Sequence, residues 1–204
     1  GNPDLQPEQG WNGEVGLKYT TQFFTTQATY YWQTIENFIQ WVPVSGVIWS
    51  PQNVKQVSVQ GVDISAGFYN TFNKVLLGLD LGYLFNTSRV TESSIPGDAS
   101  IGKQLIYNPQ NKFTIGYTMQ VRSFRFLIGS VFTGYVYSRS DNSIMSIVDG
   151  FVVFNTEASY RLDIKKTSLE IHVAVLNFTN ENYQTIKNYP MPGINFTTGL
   201  TLIL

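Results

Sequence analysis

The chain of 204 residues has no cysteine, a single histidine and a charged fraction of only 13%. Without cysteine there is no disulfide framework, no thiolate metal site and no thiol nucleophile. One imidazole excludes a histidine cluster as a metal centre, and nothing else in the sequence implies a metal or a cofactor. The charged share is about half that of an ordinary soluble domain. With 13 basic and 14 acidic residues the chain also has no electrostatic footprint for nucleic acid. No apolar run reaches the roughly 18–20 residues of a spanning helix; the most apolar segment, Val75 to Phe85, is broken by Asp80. No glycine-rich phosphate loop occurs.

Aromatic residues, in contrast, are plentiful: 12 Tyr, 14 Phe and 4 Trp. A soluble sandwich of this size needs a charged surface to stay dispersed. Little charge, many aromatics and no spanning helix together point to a transmembrane β-barrel, whose strands carry a weak alternating signal.

That alternation recurs in about nine segments, near 12–24, 26–40, 55–69, 73–87, 110–122, 123–137, 151–164, 167–178 and 194–204. Tight connections are expected near Thr25, near Asn70–Asn73, at Arg122–Ser123 and at Lys165–Lys166. Longer polar connections fall at 41–54, 88–109, 138–150 and 179–193. Short turns at one end and long loops at the other are the habit of outer-membrane barrels. Val152, Phe154, Leu162, Leu169, Ile171, Val173, Leu200 and Leu202 share an expected lipid face. Glu157, Arg161, Asp163, Glu170 and His172 share the opposite, lumenal one. In 55–69 the apolar positions change parity after Val59, which a bulge at Gly61 would explain. Phe23, Phe24, Phe68, Tyr69, Phe124, Phe126, Tyr135 and Tyr137 lie near strand ends, where aromatic girdles sit.

Several motifs carry a family resemblance. Gly1-Asn-Pro-Asp-Leu-Gln-Pro-Glu8 precedes Glu14-Val-Gly-Leu-Lys-Tyr19. Next come Ala28-Thr-Tyr-Tyr31 with Ile35-Glu-Asn-Phe-Ile39, then Asn53-Val-Lys with Val59-Gln-Gly-Val-Asp63. Gly102-Lys-Gln-Leu-Ile-Tyr-Asn-Pro109 follows, and the chain closes with Asn177-Phe-Thr-Asn-Glu-Asn-Tyr183 and Asn188-Tyr-Pro-Met-Pro-Gly-Ile-Asn-Phe196. In this order they resemble the C-terminal part of the β-barrel of TonB-dependent outer-membrane receptors. The resemblance implies an all-β, antiparallel transmembrane barrel segment, the last nine strands of a plugged barrel of about 22. It implies a place in the outer membrane of a Gram-negative bacterium and energised import of a scarce large nutrient such as a ferric siderophore or cobalamin. The implied partners are outer-membrane lipid, the imported ligand, the plug and remaining barrel, and TonB acting through that plug, which this chain lacks. Two positions depart from the pattern: Ile194 stands where the family usually has Arg, and Leu204 where it usually ends in an aromatic residue. One loop salt bridge and the assembly signal are therefore in question.

Exposed aromatics on long loops are common recognition elements, which makes Tyr107, Tyr183 and Tyr189 candidate ligand contacts. Glu157, Arg161, Glu170 and His172 are lumenal candidates, with a plain solvated wall as the competing reading. Catalysis has little footing: Ser168 sits too near His172 on one strand for a nucleophile–base pair, and Asp163 with Glu170 is no more than a chance carboxylate pair. Three readings remain: a receptor barrel portion, a complete small outer-membrane barrel serving as adhesin, structural protein or pore, and a barrel enzyme. The abrupt start at Gly1 suggests a piece of something longer. The first and last strands are then expected to pair with chain outside this sequence, because an open edge in lipid strands its backbone groups.

Overall fold

The computed structural model describes residues 2–45, 48–165 and 167–203. In chain order the strands are β1 (Gln9–Thr20), β2 (Phe24–Ser45), β3 (Ile48–Phe72), β4 (Val75–Ser93), β5 (Asn111–Val121), β6 (Phe124–Thr133), β7 (Val136–Tyr137), β8 (Ile147–Val148), β9 (Phe151–Ile164), β10 (Thr167–Leu176), β11 (Gln184–Ile186), β12 (Tyr189–Pro190) and β13 (Asn195–Ile203). Nine of them form one antiparallel sheet in the order β1-β2-β3-β4-β5-β6-β9-β10-β13. The short ladders β7/β8 and β11/β12 belong to loops. Among the described residues the only helical piece is a 3-10 turn at Ile144–Ser146.

Because side chains alternate along a strand, the register sorts the sheet into two faces. One row across it reads Phe24, Phe68, Leu79, Tyr117, Ile128, Thr156, Val175 and Phe196. The next row on the other face reads Gly67, Asp80, Gly116, Gly129 and Asn155. One face is thus apolar and one polar from β2 to β13. The expected face sets hold as sets: Leu169 pairs Leu162 and Leu202, and Ile171 pairs Leu200, while Glu170 pairs Arg161.

The connections are short at one end and long at the other. Asn73 and Lys74 both adopt positive φ (46° and 71°), as a two-residue hairpin with the right-handed strand twist requires. Arg122 and Lys165 do likewise at the next two hairpins, at φ 51° and 55°; Lys166 lies outside the described residues. The connection expected at Thr25 sits instead at Thr21–Phe23. There the Thr21 hydroxyl accepts the Phe24 N–H at 3.1 Å, and Thr25 already pairs Thr20 inside the ladder.

Two expectations fail for instructive reasons. Segment 41–54 reads as a long polar connection, but over its described residues β2 and β3 run on as a two-stranded ribbon, Trp41 pairing Pro51 and Ser45 pairing Ile48, and Pro43 and Pro51 lie within it. β1 stops pairing β2 at Glu36, and β4 stops pairing β3 at Lys55. Each proline therefore sits beyond its outer neighbour, where a missing N–H breaks no ladder. Nor is there a bulge at Gly61, which pairs Tyr31 and Asn86 in unbroken register. The irregularities fall higher, between Ile35 and Phe38, where Asn37 takes φ 56°, and opposite Gln56–Val57 in β4. Gly61 is glycine because a Cβ there would meet the Phe85 carbonyl and the Tyr31 ring. Val57 is apolar on the polar face because it is buried in a core that the loop end carries, and Val59 is half-buried just below it.

Candidate functional site

The candidate site is that loop end. All six buried apolar side chains of the described residues, Val54, Val57, Val90, Val136, Val148 and Val153, lie in this half of the molecule. Segment 94–110 folds back and continues the sheet beyond β5. Gly102 N–H donates to Val90 O at 2.8 Å and Leu105 N–H to Ser88 O at 2.7 Å. Beneath it lies an ion pair, Lys55 Nζ to Asp98 Oδ2 at 3.4 Å, with side chains only 3% and 10% exposed. Lys55 also donates to Ser100 Oγ at 2.7 Å, and the Ser93 hydroxyl to Asp98 Oδ2 at 2.6 Å. Burial alone would raise the Asp98 pKa, but the bonds from Ser93 and Ser100, with the Lys55 ammonium, outweigh it and hold the group at about 2. Charges this deep persist only when paired and hydrogen-bonded.

Loops 94–110 and 134–150 are fastened to each other, and loop 177–194 reaches the second of them through Lys187 Nζ, which donates to Met145 O at 2.5 Å. Gln104 N–H donates to Asn142 Oδ1 at 2.8 Å and Asn142 Nδ2 returns a bond to Gln104 O at 3.0 Å. Gln104 Oε1 accepts the Ser88 N–H at 3.0 Å. Segment 177–194 closes on itself through Asn177, which is 2% exposed. Its Oδ1 accepts the Glu181 N–H, and its Nδ2 donates to the carbonyls of Glu181 and Pro192, all within 3.2 Å. Asn180 Oδ1 accepts the Ile194 N–H at 3.0 Å. The Asn177…Asn180 and Pro190-Met-Pro-Gly193 motifs are therefore two halves of one clasp. It closes at Ile194 through the backbone N–H.

The sequence-derived candidates separate into unlike places. Tyr107, at φ 54°, donates its N–H to Tyr137 O at 2.9 Å. Tyr183 lies against Phe151 with ring centroids 4.3 Å apart, beside a hollow of 450 Å³. Tyr189 is 69% exposed on the β11/β12 ladder. The three tyrosines thus belong to two different loops and form no common cluster. On the polar face Arg161 faces Glu170 in register, yet its guanidinium turns to Asp163 Oδ1 and Ser168 Oγ, both at 2.8 Å. His172 pairs Ser159 and lays its ring over Gly199, and Glu157 pairs Ala174. These side chains line a wall and do not converge on one point. Among the described residues no group of His, Asp or Glu has the arrangement to hold a metal ion. Sequence reading missed Lys55, Asp98, Gln104 and Gln40, and a cavity of 560 Å³ beside them. Lys55 meets Asp98 and Ser100, and Gln104 meets Asn142, all tens of residues away, and the one available signal was a lysine among the valines of β3.

An open antiparallel sheet with one apolar face, short turns at one end and interlocked loops at the other is a recurrent barrel pattern. Residues 1–178 match the family model described as TonB dependent receptor-like, beta-barrel. This chain belongs to that family. It is 28% identical over 187 residues to the vitamin B12 transporter BtuB of Vibrio vulnificus (strain YJ016), covering 91% of this chain and 27% of that protein. It is 23% identical over 193 residues to the BtuB of Photobacterium profundum, covering 93% of this chain and 29% of the other. The chain therefore spans less than a third of these curated relatives. In fold it resembles the FrpB iron transporter from Neisseria meningitidis, with a TM-score of 0.72 at 16% identity over 98% of this chain and 32% of that one. The relatives are transporters and not enzymes.

Proposed function

We propose that these 204 residues are the C-terminal barrel portion of a TonB-dependent receptor in the outer membrane of a Gram-negative bacterium. That receptor imports a scarce large nutrient, a cobalamin, ferric siderophore or similar complex, by energised transport. The observation that carries this reading is the open nine-stranded sheet of family sequence, in which β1 and β13 are opposite edges with no pairing between them. A barrel spans a membrane only when closed. The remaining strands, and a plug engaged by TonB, are accordingly assigned to polypeptide outside these residues. The same open edges speak against a complete small barrel, in which β1 would pair β13. The apolar face is assigned to lipid and the polar face to the lumen, since the polar rows of β4–β10 hold Asp80, Glu157, Arg161, Glu170 and His172.

Uptake of labelled cyanocobalamin and of ferric siderophores by cells with and without the gene tests this directly. Uptake that needs the gene and stops when a protonophore collapses the membrane potential supports energised import. Passive leakage of small solutes through the reconstituted protein, with no gene-dependent uptake, contradicts it.

A further inference from the structure

We infer that the cavity between the β2–β3 ribbon and loops 94–110 and 134–150 is a binding site for a small molecule that joins a flat apolar group to an anionic one. The cavity measures 560 Å³, within the usual range of small-molecule sites. Phe38, Ile39, Trp41, Leu105 and Ile106 give it apolar walls. Its floor is electrically closed, because Lys55 and Asp98 are spent on each other and on Ser93 and Ser100.

Two polar groups remain unspent. Gln40 lines the cavity, and its buried Oε1 has no hydrogen-bond partner among the described residues. A buried acceptor in that state costs about 1–3 kcal/mol, and a ligand N–H or O–H would satisfy it. Arg139 lines the mouth at 71% side-chain exposure and approaches Asp141 only to 3.9 Å. The Asp141 carboxylate is itself engaged by the Ser143 N–H and hydroxyl, at 3.2 and 3.1 Å. The guanidinium therefore keeps most of its fork of donors for a carboxylate-like group. Apolar walls, an inner acceptor and an outer planar cation select an aryl or similar flat group carrying one anionic oxygen group at the mouth and a donor at the inner end.

The site rests on the receptor reading only in that the loop end meets the external medium. In vitro binding without uptake would sustain the pocket and remove the transport reading. The test uses the whole receptor that contains these residues, in lipid nanodiscs, and flow dialysis of radiolabelled 6-hydroxy-2-naphthoate, whose phenol O–H can donate to Gln40 Oε1, with empty nanodiscs as the background. Saturable one-site binding is expected. Arg139→Gln, at an exposed side chain, should weaken 6-hydroxy-2-naphthoate by at least about tenfold, the worth of one charge-assisted hydrogen bond. Binding of the neutral alcohol, 6-(hydroxymethyl)-2-naphthol, should stay within about twofold. Ile106→Trp, which fills the cavity, should abolish both while the far-UV spectrum stays unchanged. No saturable binding above empty discs, binding untouched by Ile106→Trp, or an Arg139→Gln effect that is absent or equal for acid and alcohol would each overturn the assignment.

Discussion

The two halves of this molecule are held together differently. The strand body is one sheet thick: its apolar rows, such as Leu79, Tyr117 and Val173, lie bare on one face, so its backbone ladder is internal but its side chains depend on what surrounds them. The loop end carries its own core, with Val57 only 1% exposed and a buried ion pair beneath segment 94–110. The body is therefore read from period and register, and the loop end from long-range contacts. Only the second resembles the interior of a soluble domain.

The largest expected effect comes from breaking the loop end at its charge pair. Lys55→Met leaves Asp98 buried without its cation, which costs about 3–5 kcal/mol. Hydrogen exchange should show Ser100 to Leu105 losing protection while β9 and β10 keep theirs; equal loosening of both halves would abolish the distinction. In the body the decisive matter is face. Val173→Arg should cost about 2–4 kcal/mol in a lipid bilayer, and His172→Arg, one residue away on the other face, less than about 1 kcal/mol; urea titration in liposomes measures both. Asn177→Ala strands the Glu181 N–H and two carbonyls and should cost about 1–3 kcal/mol, seen as faster proteolysis confined to 177–194.

A last effect is one of pH. Asp98 titrates near 2 in the fold against 3.8 for the free group. Its depressed pKa makes the folded state favoured above the ordinary carboxylate range, and that contribution fades as pH falls from about 4 through about 2. Protection of segment 94–110 should fall over that window; a loss already complete at about pH 5, above both values, would show that Asp98 does not hold the loop.

Sequence legibility followed the same divide. In β9 and β10 strict alternation gave the strand limits and the faces to within a residue or two, because a one-residue slip would move every side chain to the other face. Where the body meets the loop end the same reading failed. Segment 41–54 reads as a polar connection, although a ribbon that outruns its neighbours runs into it and tolerates Pro43 and Pro51. Val57 and Val59 signalled a bulge at Gly61, although the register there is unbroken and Val57 is a core residue under the loop end. Lys55 and Ser100, 45 residues apart, have no local pattern that announces their contact. The clasp of Asn177 was visible as a motif, but its hydrogen bonds explain why the motif has those residues.

The central claim is that the apolar face meets lipid and the polar face a wet interior. The chain has no cysteine, so single cysteines can be placed at each position from Leu169 to Leu176 and spin-labelled without a native thiol in these residues competing. Collision rates with oxygen, which concentrates in the bilayer, and with a water-soluble nickel chelate then read each position. Labels at Leu169, Ile171, Val173 and Val175 should favour oxygen, and labels at Glu170, His172 and Ala174 the nickel chelate. Alternation of the opposite phase, or none at all, would contradict the account.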